Sequence, residues 1–178
     1  IITRPGAPSR REEVKTMQSA LEHIRKLEFI QSPGTLEGGD VLQVNQHFYI
    51  GITDRTNSAG AQQLGEILER YGYSFQLIPM SSALHLKTVV NYIGNNYLLA
   101  SAEMAVHDAF RDFKIITVDE KDLYAANCLF INGTLIMPAG FSNVKRALQL
   151  AGYNPVELDM TEFEKMDGGL TCLSLRFQ

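Results

Sequence analysis

Six side chains of the kinds used in nucleophilic and acid–base catalysis lie in four short segments of the sequence. The segments are TLEGGDVL (Thr35–Leu42), SALHLKTVV (Ser82–Val90), LYAANCLF (Leu123–Phe130) and DGGLTCLSL (Asp167–Leu175). They contain Glu37, Asp40, His85, Cys128, Asp167 and Cys172. A thiolate can attack an electrophilic carbon, an imidazole can transfer protons, and carboxylates can orient a cationic group. If these side chains meet in one pocket, they indicate nucleophilic catalysis.

Each of these residues also has a purely structural interpretation. The Glu37–Asp40 string could form an ordinary turn, and it is too short for a phosphate-binding loop. His85 lies between two leucines and could be a core histidine. Cys172 and, more strongly, Cys128 could be small buried hydrophobic residues of strands. The paired glycines Gly168-Gly169 allow a backbone or ligand to approach closely, which favours Cys172 as the nucleophile.

Basic residues at two places could bind an anionic group of a ligand. Arg55 follows the first predicted hairpin, where Thr56 or Asn57 could cap a helix. Arg10 and Arg11 precede another predicted helix. A guanidinium can bind a carboxylate through two parallel hydrogen bonds. A solvated or ion-paired surface arginine is the competing interpretation at both places.

A repeated order of secondary structure would position the four segments. Turn residues between apolar runs predict three β-hairpins, at Val41–Thr53, Thr88–Ser101 and Cys128–Met137. A helix and a short strand are predicted after each hairpin, at Ser58–Tyr71 and Phe75–Pro79, Glu103–Phe110 and Lys114–Val118, and Ser142–Leu150 and Pro155–Leu158. The chain therefore consists of strand-strand-helix-strand modules. If the modules surround an axis, the segments that precede the hairpins converge at one end of it.

Partial modules are predicted at both ends of the chain. Ile1–Thr3 has the pattern of a strand end, Arg11–Leu27 of a helix and Glu28–Ile30 of a strand. At the other end, Leu170–Phe177 has the pattern of one strand of a hairpin. A repeat that is divided between the two ends suggests a ring closed by pairing the first and last elements. Because the chain opens on Ile1 without an initiator Met, we expect that an upstream segment is missing.

Composition excludes several classes of protein. The 178 residues are 45% apolar, which suits one folded domain over 1–178 and argues against disorder. The net charge of −4 argues against a nucleic-acid partner, and no apolar run approaches the roughly 20 residues of a membrane span. Two cysteines cannot form a disulfide scaffold, so a reducing, cytoplasmic location is expected.

Six strings, in order along the whole chain, resemble the dimethylarginine dimethylaminohydrolases. These enzymes belong to the guanidine-modifying superfamily, together with arginine deiminases and amidinotransferases. The strings are TRPGAPSRR (Thr3–Arg11), LEGGDVL (Leu36–Leu42), RTN (Arg55–Asn57), LHLKT (Leu84–Thr88), AANC (Ala125–Cys128) and MDGGLTC (Met166–Cys172). TRPGAPSRR and LHLKT are fairly specific to this branch, whereas EGGD and the cysteine near the C-terminus are shared across the superfamily.

The resemblance implies an α/β fold, a pseudo-five-fold α/β propeller of ββαβ modules. About three and a half modules would be present in this chain, with the upstream modules absent. The implied reaction is hydrolysis of Nω-methylated arginine to citrulline and methylamine or dimethylamine. The implied partner is this small-molecule substrate, with no metal or organic cofactor, no nucleic acid and no membrane. A homodimer is one assembly that the sequence leaves open.

The resemblance also assigns roles to residues. Cys172 would be the nucleophile, His85 the general acid and base, and Glu37 the carboxylate that holds the guanidinium. The implied substrate-binding residues are Arg10 and Arg55 for the α-carboxylate, with Asp167, Asp40 and Leu84.

Two other functions stay open. One is a related activity, arginine deimination or amidino transfer. Arginine deiminases carry Asp where Lys87 stands here, so Lys87 and the TRPGAPSRR string weigh against it. The other is an inactive, truncated propeller segment that serves only as a binding or structural module.

Overall fold

The computed structural model describes residues 1–81 and 83–174, and the chain divides into two compact units, Ile1–Leu86 and Lys87–Gln178. Both units combine strands with helices, which confirms the predicted α/β class. The prediction of one domain over 1–178 and the closure of modules into a ring stay predictions. Among the described residues, no helix is both long enough and apolar enough to cross a membrane.

The first unit contains one complete module. Its helices and strands are α1 (Glu13–Leu21), β1 (Val41–Val44), β2 (His47–Ile52), α2 (Ser58–Arg70) and β3 (Ser74–Pro79). β1 pairs antiparallel with β2, and β2 pairs parallel with β3. Apolar residues of α2 pack on the sheet through a buried cluster made of Ile30, Leu36, Ile50, Ala61, Leu64, Ile67 and Leu68. Asn57 caps α2 by accepting a hydrogen bond from the Gly60 amide at 2.8 Å.

The second unit contains two further modules of the same order. The first consists of β4 (Val90–Tyr92), β5 (Tyr97–Ala100), α3 (Ala102–Ala105) and β6 (Lys114–Thr117). The second consists of β7 (Leu129–Ile131), β8 (Thr134–Pro138), α4 (Ser142–Leu150) and β9 (Val156–Leu158), and α5 (Thr161–Glu164) follows. Each three-stranded sheet repeats the antiparallel and parallel pairing of the first unit. A 3-10 helix, Glu120–Ala126, connects the two modules.

The turns explain why two of the three hairpins form where the sequence predicts them. Asn45 has φ of 54°, and the pair Asn132-Gly133 has φ of 49° and 76°. Asn and Gly tolerate this left-handed region, which two-residue hairpin turns require. The predicted positions of all three hairpins are confirmed.

The partial modules at the ends differ from the predictions. The helix predicted over Arg11–Leu27 is only α1, and the predicted N-terminal strands reduce to one parallel bridge between Ile2 and Phe29. The prediction of a strand over Leu170–Phe177 is wrong for residues 170–173, which form a turn. There the amides of Cys172 and Leu173 both donate to the Gly169 carbonyl. The rest of that predicted strand, beyond residue 174, lies outside the described residues.

The helix predicted over Glu103–Phe110 is also shorter in the structure. α3 ends at Ala105, and a separate 3-10 helix follows at Asp108–Phe110. The division occurs at His107, whose backbone is extended and whose Nδ1 accepts a hydrogen bond from the Ala109 amide at 3.2 Å. A side chain that caps a new helical turn ends the preceding one, because both cannot use the same backbone groups.

Candidate functional site

Glu37 and His85 form a hydrogen-bonded pair in the first unit. Nε2 of His85 lies 2.9 Å from Oε2 of Glu37, although the residues are 48 positions apart. An ionised carboxylate only accepts hydrogen bonds, so Nε2 carries the proton and donates it. The side chain of His85 is 15% exposed, and that of Glu37 is 5% exposed. The pair thus combines a desolvated carboxylate with an imidazole that it orients.

The surroundings of Glu37 favour its ionised form. Burial acts to raise the pKa of this carboxyl. The hydrogen bonds from His85 and from the Ala7 amide, and the positive charges of His85 and Arg10, outweigh burial and hold the pKa below its ordinary value. The Arg10 guanidinium lies 3.5 Å from Oε2 of Glu37. Glu37 is therefore an acceptor held in place from three sides.

Asp40 is fully buried beneath the loop that carries His85. Its carboxylate accepts hydrogen bonds from the hydroxyls of Thr56 at 2.6 Å and Thr53 at 2.9 Å, and from the Leu86 amide at 2.9 Å. Burial raises the pKa of Asp40 above its ordinary value, although these donors oppose the shift. Asp40 therefore joins the residue after His85 to the start of α2. Its contact with substrate stays a prediction.

Gly39, the second of the two glycines between Glu37 and Asp40, allows the imidazole of His85 to approach the backbone. A Cβ on Gly39 would lie 2.6 Å from Cγ of His85, which is closer than real contacts allow. A Cβ on the neighbouring Gly38 would meet nothing within 4 Å. The EGGD string is thus neither a plain turn nor a phosphate loop. It is a 3-10 helix that provides both a carboxylate and a surface for His85.

Three other predicted binding residues also lie in the first unit. Arg10 is exposed and pairs with Glu13 at 3.2 Å as well as with Glu37. Arg55 is half-buried. Leu84 is 43% exposed, beside His85. Their assignment to the substrate stays a prediction.

The remaining predicted site residues lie in the second unit. Cys172 is exposed within the turn at residues 170–173, not buried in a strand. Asp167 is exposed and has φ of 56°, and the following Gly168 amide donates to the Phe163 carbonyl at 2.8 Å. Asp167 therefore ends the helical segment begun by α5 and starts the turn that leads to Cys172.

Cys128 is enclosed in the core of the second unit. Its side chain is 1% exposed, and Sγ donates to the Ala125 carbonyl at 3.2 Å. Burial raises the pKa of this thiol to about 12. The structural interpretation therefore holds for Cys128, since only a thiolate is a good nucleophile.

Sequence reasoning missed residues that act through backbone hydrogen bonds. The Thr56 hydroxyl accepts from the Glu37 amide at 3.0 Å while it donates to Asp40. Asn127 and Tyr124 bond to the backbone of the segment that carries Cys172. No residue pattern marks such bonds, because their partners are backbone groups that every residue has.

Comparison with known proteins places the chain in a family. Residues 1–128 match the family model described as arginine deiminase, which is more than half of the chain. The chain therefore belongs to the arginine deiminase family. Within the family, it belongs with the N(G),N(G)-dimethylarginine dimethylaminohydrolases: it is 44% identical to the Pseudomonas aeruginosa protein of that name over 179 residues. The match covers 99% of this chain and 70% of the relative.

Solved structures agree with this assignment. A cysteine-to-serine mutant of the Pseudomonas aeruginosa dimethylarginine dimethylaminohydrolase, complexed with citrulline, has a TM-score of 0.94 and 43% identity. That match covers 98% of this chain and 69% of the other. A histidine-to-glycine variant of a dimethylarginine dimethylaminohydrolase, solved as an adduct with S-methyl-L-thiocitrulline, also has a TM-score of 0.94 and 43% identity. It covers 99% of this chain and 70% of the other.

Proposed function

We propose that the chain hydrolyses Nω-methylated arginine to citrulline and methylamine or dimethylamine, with Cys172 as the nucleophile. One observation carries the proposal. The residue numbers of the substituted histidine and cysteine in the two solved relatives differ by as many positions as those of His85 and Cys172. At 43% identity over almost the whole chain, this agreement supports the assignment of both residues.

The reaction requires that the guanidinium be held and made reactive. Its carbon is a weak electrophile, because the positive charge is spread over three nitrogens. Carboxylates that bind the N–H groups orient the group and favour its cationic form. We assign this contact to Glu37 and Asp167. Arg10 and Arg55 would bind the α-carboxylate, and exposed Leu84 would contact the aliphatic part of the substrate.

In the first chemical step, the Cys172 thiolate adds to the guanidinium carbon. A bound cation favours the thiolate over the thiol, so the substrate assists in forming its own nucleophile. The C–S bond forms, and a tetrahedral adduct results. His85 then gives a proton to the methylated nitrogen as its C–N bond breaks. The amine leaves in neutral form, and a thiouronium species remains on Cys172.

In the second step, water replaces sulfur. His85, now without its extra proton, accepts one from the attacking water. The C–O bond forms and the C–S bond breaks, so that Cys172 returns to the thiolate. The new O–H of the product releases its proton to solvent, and neutral citrulline leaves. Because Nε2 of His85 donates to Glu37, we assign the transferred proton to Nδ1.

The structure supports a second role for Glu37. Its hydrogen bond at 2.9 Å fixes the tautomer and orientation of His85, and its negative charge stabilises the imidazolium. Asp40 supports the same pair from below, since its bond to the Leu86 amide fixes the loop that carries His85. We therefore propose that Asp40 acts by positioning.

Deimination of arginine itself is the second candidate, because the family model that matches residues 1–128 is that of arginine deiminase. The chemistry is identical except for the leaving group, which is ammonia. Amidino transfer and a purely structural role have weaker support: Lys87 and TRPGAPSRR argue against the first, and the Glu37–His85 pair argues against the second.

We propose a reducing, cytoplasmic location on the composition of the sequence, because two cysteines cannot form a disulfide scaffold. The proposed steps use only side chains of this chain and water. A homodimer stays a prediction.

The test is citrulline release from asymmetric dimethylarginine, monomethylarginine and arginine, measured in parallel. We expect release from the methylated substrates to exceed release from arginine. Cys172→Ser and His85→Ala should each lower kcat by about a thousandfold or more, because one removes the nucleophile and the other the proton carrier. Activity on arginine alone would replace the proposed substrate, and near-normal turnover by either variant would refute the mechanism.

A further inference from the structure

The turn that carries Cys172 is attached to the segment 124–127 by two side chains. Oδ1 of Asn127 accepts a hydrogen bond from the Thr171 amide at 2.9 Å. The Tyr124 hydroxyl donates to the Gly168 carbonyl at 2.7 Å. The chain is thus bonded on both sides of Gly169, at the Gly168 carbonyl and at the amide of Thr171, the residue before Cys172.

Gly169 is in direct contact with Asn127. A Cβ on Gly169 would lie 2.6 Å from both Cγ and Nδ2 of Asn127, so only glycine can occupy this position without displacement. Asn127 itself is 6% exposed, and its Nδ2 donates to the Lys87 carbonyl at 3.5 Å. The amide of Asn127 is therefore enclosed between the turn and another backbone segment of the same unit.

Within the described residues, the side chain of Thr171 makes no hydrogen bond that would fix the turn. The Thr171 hydroxyl is buried and has no hydrogen-bond partner in the described part of the chain. A buried hydroxyl without a partner costs free energy. The Thr171 hydroxyl therefore does not determine the turn. The Cys172 and Leu173 amides close it on the Gly169 carbonyl, and the bonds to Asn127 and Tyr124 attach it to the segment 124–127.

We propose that Asn127 and Tyr124 are positioning residues that hold the Cys172 turn in its reactive orientation. This rests on the proposed function only in that Cys172 is the nucleophile. The hydrogen bonds of both residues with the turn involve its backbone groups, not the thiol. They should therefore affect the rate of thiolate addition and leave substrate binding nearly unchanged.

Isosteric variants of two tyrosines give a matched test. Tyr124→Phe removes only the hydroxyl that bonds Gly168. Tyr153→Phe is the control, because the Tyr153 hydroxyl likewise donates to a backbone carbonyl of the second unit, that of Gly94 at 2.9 Å. We expect Tyr124→Phe to lower kcat about tenfold with KM within about twofold, and Tyr153→Phe to leave kcat within about twofold.

Two asparagine variants test the acceptor. Asn127→Ala removes the oxygen that bonds the Thr171 amide, and kcat should fall about tenfold to a hundredfold. Asn127→Asp keeps an oxygen at that place and should retain more kcat than Asn127→Ala. The inference is overturned if the two variants are equally defective, if Tyr124→Phe has the kcat of the wild type, or if Tyr153→Phe loses as much as Tyr124→Phe.

Amide hydrogen exchange provides a readout that needs no substrate. In the wild type, the Thr171 amide is bonded to Asn127, so a peptide that spans Gly169–Leu173 should be protected. In Asn127→Ala its exchange should be at least about tenfold faster, with no change in Tyr153→Phe. If the wild type releases no citrulline, the proposed function fails and this measurement still decides the inference. Unchanged exchange in Asn127→Ala would overturn it.

Discussion

The two cysteines of this chain lie in opposite environments. Cys128 is enclosed by the core of the second unit, whereas Cys172 is exposed in a turn. Burial raises the pKa of the Cys128 thiol to about 12, because the thiolate would lose its hydration without gaining a charged partner. At neutral pH, Cys128 is therefore a neutral, inert thiol.

This difference predicts selective alkylation. We expect one equivalent of iodoacetamide to be taken up at about pH 8, and all of it at Cys172. Peptide mass spectrometry identifies the modified residue. Cys172→Ser should take up none while folded and one equivalent, at Cys128, in denaturant. Modification of Cys128 before Cys172 in the folded protein would contradict the assignment.

Among the elements, the 3-10 helix Gly38–Asp40 determines where the imidazole of His85 lies. Gly39→Ala would place a methyl group 2.6 Å from Cγ of His85, so the ring must move away from Glu37. We expect kcat to fall at least about tenfold, since small displacements of catalytic groups are costly.

Gly38→Ala is the matched control for this variant. It makes the same substitution one residue earlier, where a Cβ meets nothing within 4 Å. Its kcat should stay within about twofold of the wild type. Steady-state citrulline release distinguishes the two proteins. Equal losses in both variants would show that the 3-10 helix tolerates no alanine, and that contact with His85 is not the cause.

The elements that local signals define could be predicted from the sequence. Asn132-Gly133 determines a hairpin turn by itself, and α4 begins and ends where its apolar period does. The length of α3 could not be predicted, because its end depends on a backbone group that another residue captures. That residue is His107, whose capping bond is visible only in three dimensions.

The sequence indicates the chemical types of the candidate residues but not their contacts. The sequence indicates that Glu37 and His85 are chemically suitable, and the structure adds that they are bonded across 48 positions. Asn127 lies in the AANC string, yet nothing in its type reveals a bond to the Thr171 amide. The pattern of Leu170–Phe177 predicted a strand that includes Cys172. The Cys172 and Leu173 amides instead donate to the Gly169 carbonyl, which closes a turn there.

At the scale of the whole molecule, the candidate residues are divided between the two units. The Glu37–His85 pair belongs to the first unit, and Cys172 with its bonded turn belongs to the second. Each group of contacts is completed within its own unit. The stability of the chain should therefore respond to Glu37 even in the absence of substrate, and it should do so in a pH-dependent way.

The pKa of Glu37 is lower in the folded chain than its ordinary value of 4.5. The ionised carboxylate thus contributes stability that is fully present above pH 4.5 and is lost as the pH falls through the lower folded pKa. Glu37→Gln should lower the free energy of unfolding by about 1–3 kcal/mol at neutral pH, because buried donors lose a charged acceptor. The difference from the wild type should shrink as the pH falls below that range.

Urea unfolding of both proteins at neutral pH and at successively lower pH measures this difference. The pKa of Asp40 is shifted in the opposite direction by burial, but Asp40 is present in both proteins and its contribution largely cancels. Glu69→Gln, at an exposed position of α2, should change stability by less than about 0.5 kcal/mol throughout. If the Glu37→Gln difference is constant with pH or grows in acid, the carboxylate is not held ionised by His85, Ala7 and Arg10. The orientation of His85 would then require another source.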